Sequence, residues 1–147
     1  MTAPEDTFAA LHRAIGGRLF TVTVQDNAAG LVRRAYSSHP VDYPVSGTKP
    51  LQHDRWSRQV LGRGEVFVAN TLAEFADVFF DHAQIAALGC RSALNLPVFD
   101  GAMVLGTVNV LDVEAYFTPA RVAAITAAVA LRQGEVVAAM RAVPLAG

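Results

Sequence analysis

The fold of this chain is decided by the stretch Leu94-Asn-Leu-Pro-Val98, followed by Asp100-Gly101 and Met103-Val-Leu-Gly-Thr-Val-Asn-Val-Leu-Asp112. Two apolar runs rich in β-branched residues flank an Asp-Gly pair, which is the strongest short-range signal for a β-hairpin. We therefore predict that residues 91–98 and 103–112 are adjacent antiparallel strands joined at Asp100-Gly101. Each run also carries one asparagine where a strand is half buried, and a buried amide needs hydrogen-bond partners.

A terminal helix follows the hairpin. Thr118 is a good N-cap residue, and Pro119 suits the first helical position. An apolar stripe predicts one continuous helix to about Arg141, with the members Val122, Ile125, Val129, Val136 and Met140.

The N-terminal part predicts a helix followed by a second hairpin. Phe8, Leu11 and Ile15 recur at helical spacing over residues 4–15. Leu19–Gln25 alternates as a half-buried strand, Asp26–Gly30 is a turn, and Leu31–Ser38 is the returning strand. Strand alternation places Arg34, Tyr36 and Ser38 on one face of that returning strand.

The middle of the chain contains its one long irregular stretch. Residues 38–52 include three prolines and a glycine, which we interpret as excluding both helix and regular strand. Loops of this length inside a compact domain are usually functional or disordered, and Tyr43 with the nearby Trp56 favours order. A short helix at 54–61, a strand at 65–70 and a helical region at 72–88 follow.

These elements predict a single α/β (α+β) domain over residues 1–147. Its sheet is mainly antiparallel with five or six strands, because tight turns join the strands. The terminal helices lie on one face, and the long loop with the middle helices covers a pocket on the other.

Composition excludes several functional classes. The longest uncharged apolar run, residues 122–131, is too short to span a bilayer. The net charge of −1 gives no electrostatic drive toward nucleic acid or anionic membranes. The N-terminus lacks a basic segment typical of a signal peptide. The single cysteine, Cys90, fits a reducing compartment, so we expect a cytoplasmic protein. We expect Cys90 to pack as a small apolar residue and to be inert.

The asparagine-bearing hairpin and the Tyr116-Phe117-Thr118 link before the last helix resemble the second half of a GAF domain. The resemblance covers roughly Leu19 to Leu131. It implies a GAF-like fold with a small-molecule pocket between the sheet and a loop-helix layer, here residues 38–56 and 72–88.

Departures from the family patterns narrow the ligand classes. The Asn-Lys-Phe-Asp-Glu-type motif of the family's cyclic-nucleotide binders does not occur in this sequence. Cys90 precedes Arg91 at the start of a strand, whereas bilin photoreceptors carry a cysteine commonly followed by histidine. One cysteine cannot form the disulfide through which the family's free methionine-R-sulfoxide reductases turn over. His82 is conceivable as an axial haem ligand, although no other haem signature accompanies it.

Asn95, Thr107 and Asn109 are the first candidate ligand-binding residues. Thr107 and Asn109 share one strand face, and Asn95 approaches them across the hairpin. The alternative interpretation is structural, with both amides tying strands or a neighbouring loop together.

The long loop and its neighbours supply the other candidates. Lys49, the one lysine among twelve basic residues, offers a point charge for a carboxylate or phosphate. Tyr43 and Trp56 provide aromatic walls, while Tyr36 and His82 complete the rim. A solvated loop lysine is the alternative for Lys49. We expect a small anionic or zwitterionic ligand, of identity unknown from the sequence.

No cofactor and no metal is predicted. The histidines and aspartates at 39, 42, 53 and 54 lack metal-ligand spacing. Asp81 and His82 could perform acid–base chemistry with Lys49, which keeps an enzyme with a non-cysteine mechanism open as an alternative.

The leading hypothesis is a small-molecule-binding sensory or regulatory GAF-like domain without an attached output domain. A structural dimerisation module with a pocket filled by its own side chains is a further alternative. We also predict a homodimer through two helical faces, Phe8, Leu11 and Ile15 on the first helix and Val129, Val136 and Met140 on the last.

Overall fold

Six strands form one antiparallel sheet in the order β3-β2-β1-β6-β5-β4. The computed structural model describes residues 3–45 and 48–144, without the side chain of Lys49. The strands are β1 (Leu19–Asp26), β2 (Leu31–Ser37), β3 (Lys49–Pro50), β4 (Phe67–Ala69), β5 (Ser92–Asp100) and β6 (Met103–Asp112). The fold class is the predicted one, an open α+β sheet with helices.

The β5–β6 hairpin has the predicted register. Asp100 pairs with Met103, and Asn95 lies directly opposite Asn109. Gly101 takes φ +64° in the turn, a conformation that favours glycine. On β6, Gly106 lies so close to β1 that a Cβ there would stand 2.1 Å from the Thr23 carbonyl oxygen, and the two central strands therefore need a glycine at this crossing.

Three helices cover one face of the sheet. They are α1 (Pro4–Ile15), α5 (Pro119–Leu131) and α6 (Gln133–Ala142), and α1 contacts both of the others. Their apolar side chains meet those of β1, β5 and β6 in one core that includes Phe8, Leu11, Phe20, Val22, Leu94, Val108, Val110, Ile125, Val129, Val136 and Met140. We call this side the helix face of the sheet.

The opposite face is covered by short elements. These are α2 (Arg55–Ser57), which continues as a π-helical turn (Arg58–Gly62), α3 (Leu72–Phe75) and α4 (His82–Ala87). A second core lies beneath them, with Leu19, Val60, Phe75, Ile85, Cys90 and Leu111 among its members. Cys90 is fully buried there, which confirms its predicted packing. We call this side the cavity face.

Several predicted boundaries are wrong. The predicted terminal helix is two helices, which meet at a bend of 72° around Arg132. Periodicity does not reveal this break, because the apolar stripe continues on both sides of it. The helical region 72–88 is interrupted at residues 76–81, and the helix at 54–61 becomes π-helical after Ser57. Lys49 and Pro50 pair with Val32 and Leu31, so the stretch predicted to exclude strand contains a short edge strand, where proline is tolerated.

The helical surfaces named for a homodimer are also corrected. Phe8, Leu11, Val129, Val136 and Met140 are each at most 3% exposed, because α1 packs against α5 and α6 within one chain. Two terminal helices on one sheet face thus cover each other's apolar stripes rather than leaving them for a second copy.

Among the described residues, no single helix is long and apolar enough to cross a membrane. The bent pair α5–α6 meets the length and composition requirements when both helices are taken together.

Candidate functional site

A cavity of about 260 Å³ lies on the cavity face, partly open to solvent. Its floor is the polar side of the central strands, and its walls come from the loop after β2, from α2 and from the α3–α4 segment. The lining residues are Thr21, Thr23, Gln25, Val32, Arg34, Tyr43, Pro50, Leu51, Gln52, Trp56, Leu61, Val78, Phe79, Phe80, Asp81, Ile85, Asn95, Asn109 and Leu111.

A chain of hydrogen bonds crosses the floor. The Trp56 indole Nε1 donates to Asn95 Oδ1 at 2.9 Å, and Asn95 Nδ2 donates to Asn109 Oδ1 at 2.8 Å. Asn109 Nδ2 then donates to the hydroxyl oxygens of Thr21 and Thr23, each at 3.1 Å. The strand register explains this alignment, because Asn95 lies opposite Asn109 and Asn109 lies opposite Thr21.

The direction of this chain is fixed at one end. An indole N–H can only donate, so Asn95 must turn its carbonyl oxygen toward Trp56 and its amide nitrogen toward Asn109. Asn109 follows the same orientation. The two asparagines therefore have the structural role that was the alternative to ligand binding, and they also form part of the cavity floor.

The outer wall is held in place by side chains from three segments. The Tyr43 hydroxyl donates a hydrogen bond to the Asp81 carboxylate. Gln84 Nε2 donates to the Asp42 carbonyl oxygen at 2.6 Å, and Arg34 Nη1 donates to the Pro44 carbonyl oxygen at 3.1 Å. The loop before residue 46 is thereby fastened to α4 and to β2 over the cavity.

Charge and aromatic rings meet on this wall. The Arg34 guanidinium lies over the Tyr43 ring, 4.7 Å from its centroid, as a cation–π contact. Burial, and then the hydrogen bond to Asp81, raise the pKa of the Tyr43 hydroxyl well above its usual range. Tyr43 therefore stays a neutral donor at any physiological pH.

Four of the eight predicted ligand-binding residues line the cavity: Tyr43, Trp56, Asn95 and Asn109. Lys49 contributes backbone to β3 next to the lining residue Pro50, and its side chain lies outside the described part of the structure. Thr107 is buried in the sheet beside Asn109 but is not part of the lining. His82 is also outside the lining, with its Nδ1 2.8 Å from the Phe79 carbonyl oxygen at the start of α4.

Tyr36 lies on the wrong face for the predicted role. Its ring packs 6.0 Å from Phe8 and 5.9 Å from Phe20, between α1 and the helix face. A β-bulge shifts the β1–β2 register, so that Val22 pairs with Tyr36 but Thr23 pairs with Arg34. One extra residue reverses the alternation, which separates Tyr36 from Arg34 and brings Arg34 to the cavity instead.

The sequence reasoning also missed Thr21, Thr23 and Gln25. These residues are the polar set of β1, and they alternate with the apolar set Phe20, Val22 and Val24. The alternation predicts a half-buried strand, and that prediction alone does not bring the polar side of β1 into the candidate site. In a central strand covered on both sides, such positions line an interior instead.

Of the proposed acid–base group, Asp81 and His82 do not face the cavity together. Asp81 lines the cavity and accepts from Tyr43, whereas His82 turns away from the lining. Cys90 lies outside the lining, and burial, followed by the charge of Asp112, raises the pKa of its thiol to about 11. Among the described residues, no three histidine, cysteine or acidic side chains come together as a metal site.

Comparisons with solved structures show the fold. A GAF domain/HD domain protein from Geobacter sulfurreducens superimposes with a TM-score of 0.69 at 14% identity, covering 93% of this chain and 94% of that one. The GAF domain from Acinetobacter phosphoenolpyruvate-protein phosphotransferase gives 0.68 at 14% identity, over 97% and 87%. Free methionine-R-sulfoxide reductase from Neisseria meningitidis, solved in complex with its substrate, gives 0.64 at 18% identity, over 94% and 78%.

No family model and no curated protein matches this sequence. The chain therefore has the GAF-domain fold on structural grounds, as the hairpin residues predicted. At these identities the comparisons do not establish an activity.

Proposed function

We propose that this protein is a small-molecule-binding regulatory domain whose ligand occupies the cavity between the sheet and the loop wall. The cavity carries the proposal. It combines four aromatic rings with a floor of fixed polar groups, which is the usual composition of a small-molecule site. A purely structural module would fill this space with its own side chains, whereas here about 260 Å³ stays open.

The ligand is proposed to be anionic or zwitterionic. Arg34 brings a guanidinium to the cavity wall, where a partly desolvated charge interacts more strongly than in water. Asp81 on the same wall supplies a carboxylate for an ammonium group. Lys49 keeps its predicted role as a second cation in this proposal.

The signal is proposed to pass to a second copy of the chain or to another protein. The surface available for a homodimer differs from the one first predicted, because those helical stripes are internal. Leu131, 81% exposed at the bend between α5 and α6, is an apolar group that a partner would cover. Sedimentation at micromolar concentration tests the homodimer. We expect a dimer for the wild type and a 15.6 kDa species for Leu131→Glu, and a 15.6 kDa species for the wild type contradicts the homodimer.

The binding proposal is tested without knowing the ligand. Native mass spectrometry of freshly purified protein detects retained small molecules, and a thermal-shift screen covers organic acids, amino acids and nucleotides. Trp56 is the one tryptophan in the chain and lines the cavity, so its fluorescence reports binding there. We expect at least one compound to raise the melting temperature and to change this emission.

Site variants then localise the binding. Lys49→Ala is expected to weaken a hit by about 1.5–3 kcal/mol, the scale of a charged hydrogen bond. Arg63→Ala serves as the matched control, because Arg63 pairs with Glu65 on the surface and lies outside the lining. If hits bind Lys49→Ala, Asn109→Ala and Arg63→Ala like the wild type, the ligand site is elsewhere.

A further inference from the structure

We propose that the inner end of the cavity is a subsite for a neutral amide edge, that is, an adjacent C=O and N–H of the ligand. Gln25 accepts from the N–H, and the hydroxyl groups of Thr21 and Thr23 donate to the C=O. This inference rests on the proposed function, because it names the chemistry that the same cavity selects.

Gln25 provides the first observation. It is 4% exposed, and both hydrogens of its amide nitrogen are used, one to Asn27 Oδ1 at 2.9 Å and one to the Val104 carbonyl oxygen at 3.1 Å. The carbonyl of Val104 can only accept, so the orientation of the Gln25 amide is fixed. No described residue donates to Gln25 Oε1, although Gln25 lines the cavity.

An acceptor in this position needs a donor. Gln25 Oε1 is accessible from the cavity, since Arg33 Nε is the one fully buried side-chain atom without a partner among the described residues. A ligand that covers this oxygen without donating to it leaves a buried acceptor unpaired, which costs free energy comparable to a lost hydrogen bond, whereas a ligand N–H pairs with it.

The two threonines provide the second observation. Their hydroxyl oxygens accept from Asn109 Nδ2, and this nitrogen thereby uses both of its hydrogens. Each hydroxyl still carries its own hydrogen, which is a donor for a further acceptor. Thr21, Thr23 and Gln25 lie at alternate positions on β1 and face the same side, so their donors and acceptor are presented together.

The chemistry of this floor selects a neutral group. Its polar side chains are threonines, asparagines and a glutamine, so a charge placed there would lose hydration without meeting an opposite charge. A carboxylate offers no N–H to Gln25 Oε1. A carboxamide, a lactam or a ring with the same edge matches both partners.

Benzamide and N,N-dimethylbenzamide are the probes. They share the ring and the carbonyl, and differ in the N–H donors. Binding is followed by the NMR signal of the Trp56 indole N–H and by its fluorescence. We expect the wild type to bind benzamide about tenfold more tightly than the dimethyl analogue, because the latter covers Gln25 Oε1 without offering it a donor.

Gln25→Met removes the acceptor at nearly constant shape and should abolish that discrimination. Gln59→Met is the matched control. Gln59 is partly buried and, like Gln25, donates to a backbone carbonyl, that of Val66 at 2.8 Å, but it lies outside the lining. If Gln25→Met does not fold, Thr23→Val tests the same subsite by removing a hydroxyl donor. We expect this variant to lose benzamide affinity.

The outcomes separate the two proposals. Equal binding of both probes by the wild type, with Trp56 responding, overturns the amide subsite while leaving the cavity as a binding site. Discrimination that survives in Gln25→Met also overturns it. If Trp56 responds to neither probe, the amide subsite is overturned. The proposed function is then tested separately by the thermal-shift screen.

Discussion

The two faces of the sheet are built from the same strands but differ in what they bury. On β6, Val108 and Val110 point into the helix face, whereas Asn109, between them, belongs to the cavity floor. The helix face is filled with apolar side chains packed against three helices. The cavity face satisfies its amides with one another and leaves an open volume. Adjacent residues of one strand thus fill an apolar core on one side and line an open cavity on the other.

The largest expected effect is on the helix face. Phe8→Ala removes a ring that is 1% exposed and packed between α1 and the sheet. We expect a loss of about 3–5 kcal/mol in the free energy of unfolding, measured by chemical denaturation. Ligand affinity per folded molecule should not change. A loss below about 1 kcal/mol would show that the helices contribute little to stability.

The hydrogen-bonded floor should show an intermediate effect. Asn109→Ala removes the acceptor of Asn95 Nδ2 and the donor to both threonine hydroxyl oxygens, and should cost about 1–3 kcal/mol of unfolding free energy together with ligand affinity. A double-mutant cycle with Asn95→Ala measures the coupling between the amides. Additive losses would contradict a connected floor.

A smaller effect is expected beside the cavity, at Cys90. Cys90→Ser should cost about 1 kcal/mol, because a hydroxyl replaces a buried thiol, and should leave ligand binding intact. The native thiol should resist alkylation near pH 8, since burial raises its pKa to about 11. Rapid modification would contradict the buried position.

The smallest effect at neutral pH concerns the wall. The raised pKa of Tyr43 means that the folded state holds this proton more tightly than the unfolded state. Its contribution to stability is complete below about pH 10 and is lost as the pH rises further. Tyr43→Phe should therefore flatten the alkaline decline in unfolding free energy. Identical alkaline profiles would place the titrating group elsewhere.

The predictable part of the fold follows from local signals. An Asp-Gly pair between β-branched runs determines a hairpin and its register, and these in turn place Asn95 opposite Asn109. The bulge beside Tyr36 is different, because alternation assumes one residue per step and carries no mark of an extra one. This local shift exchanged Tyr36 for Arg34 in the candidate site.

The bend at Arg132 was unpredictable for a related reason. Apolar residues keep helical spacing on both sides of it, so the pattern predicts one helix. The second helix packs against α1, β5 and β6, and such tertiary contacts are not contained in the periodicity of one segment. The asparagines of the candidate site were predictable, because their type is unusual in a strand interior. The threonines and the glutamine were not, because these types are common on solvated strand surfaces.

The donor-only indole of Trp56 has a consequence for disorder. A row of hydrogen-bonded amides can point its donors in either of two directions. Without a fixed end, different molecules would hold the row in different directions. Because Trp56 cannot accept, one direction is selected at Asn95 and passed on to Asn109 and the threonines. The one N–H of the Trp56 indole thus removes the orientational disorder of a row of polar groups that crosses β5, β6 and β1. The cavity floor therefore presents the same arrangement of donors and acceptors in every molecule.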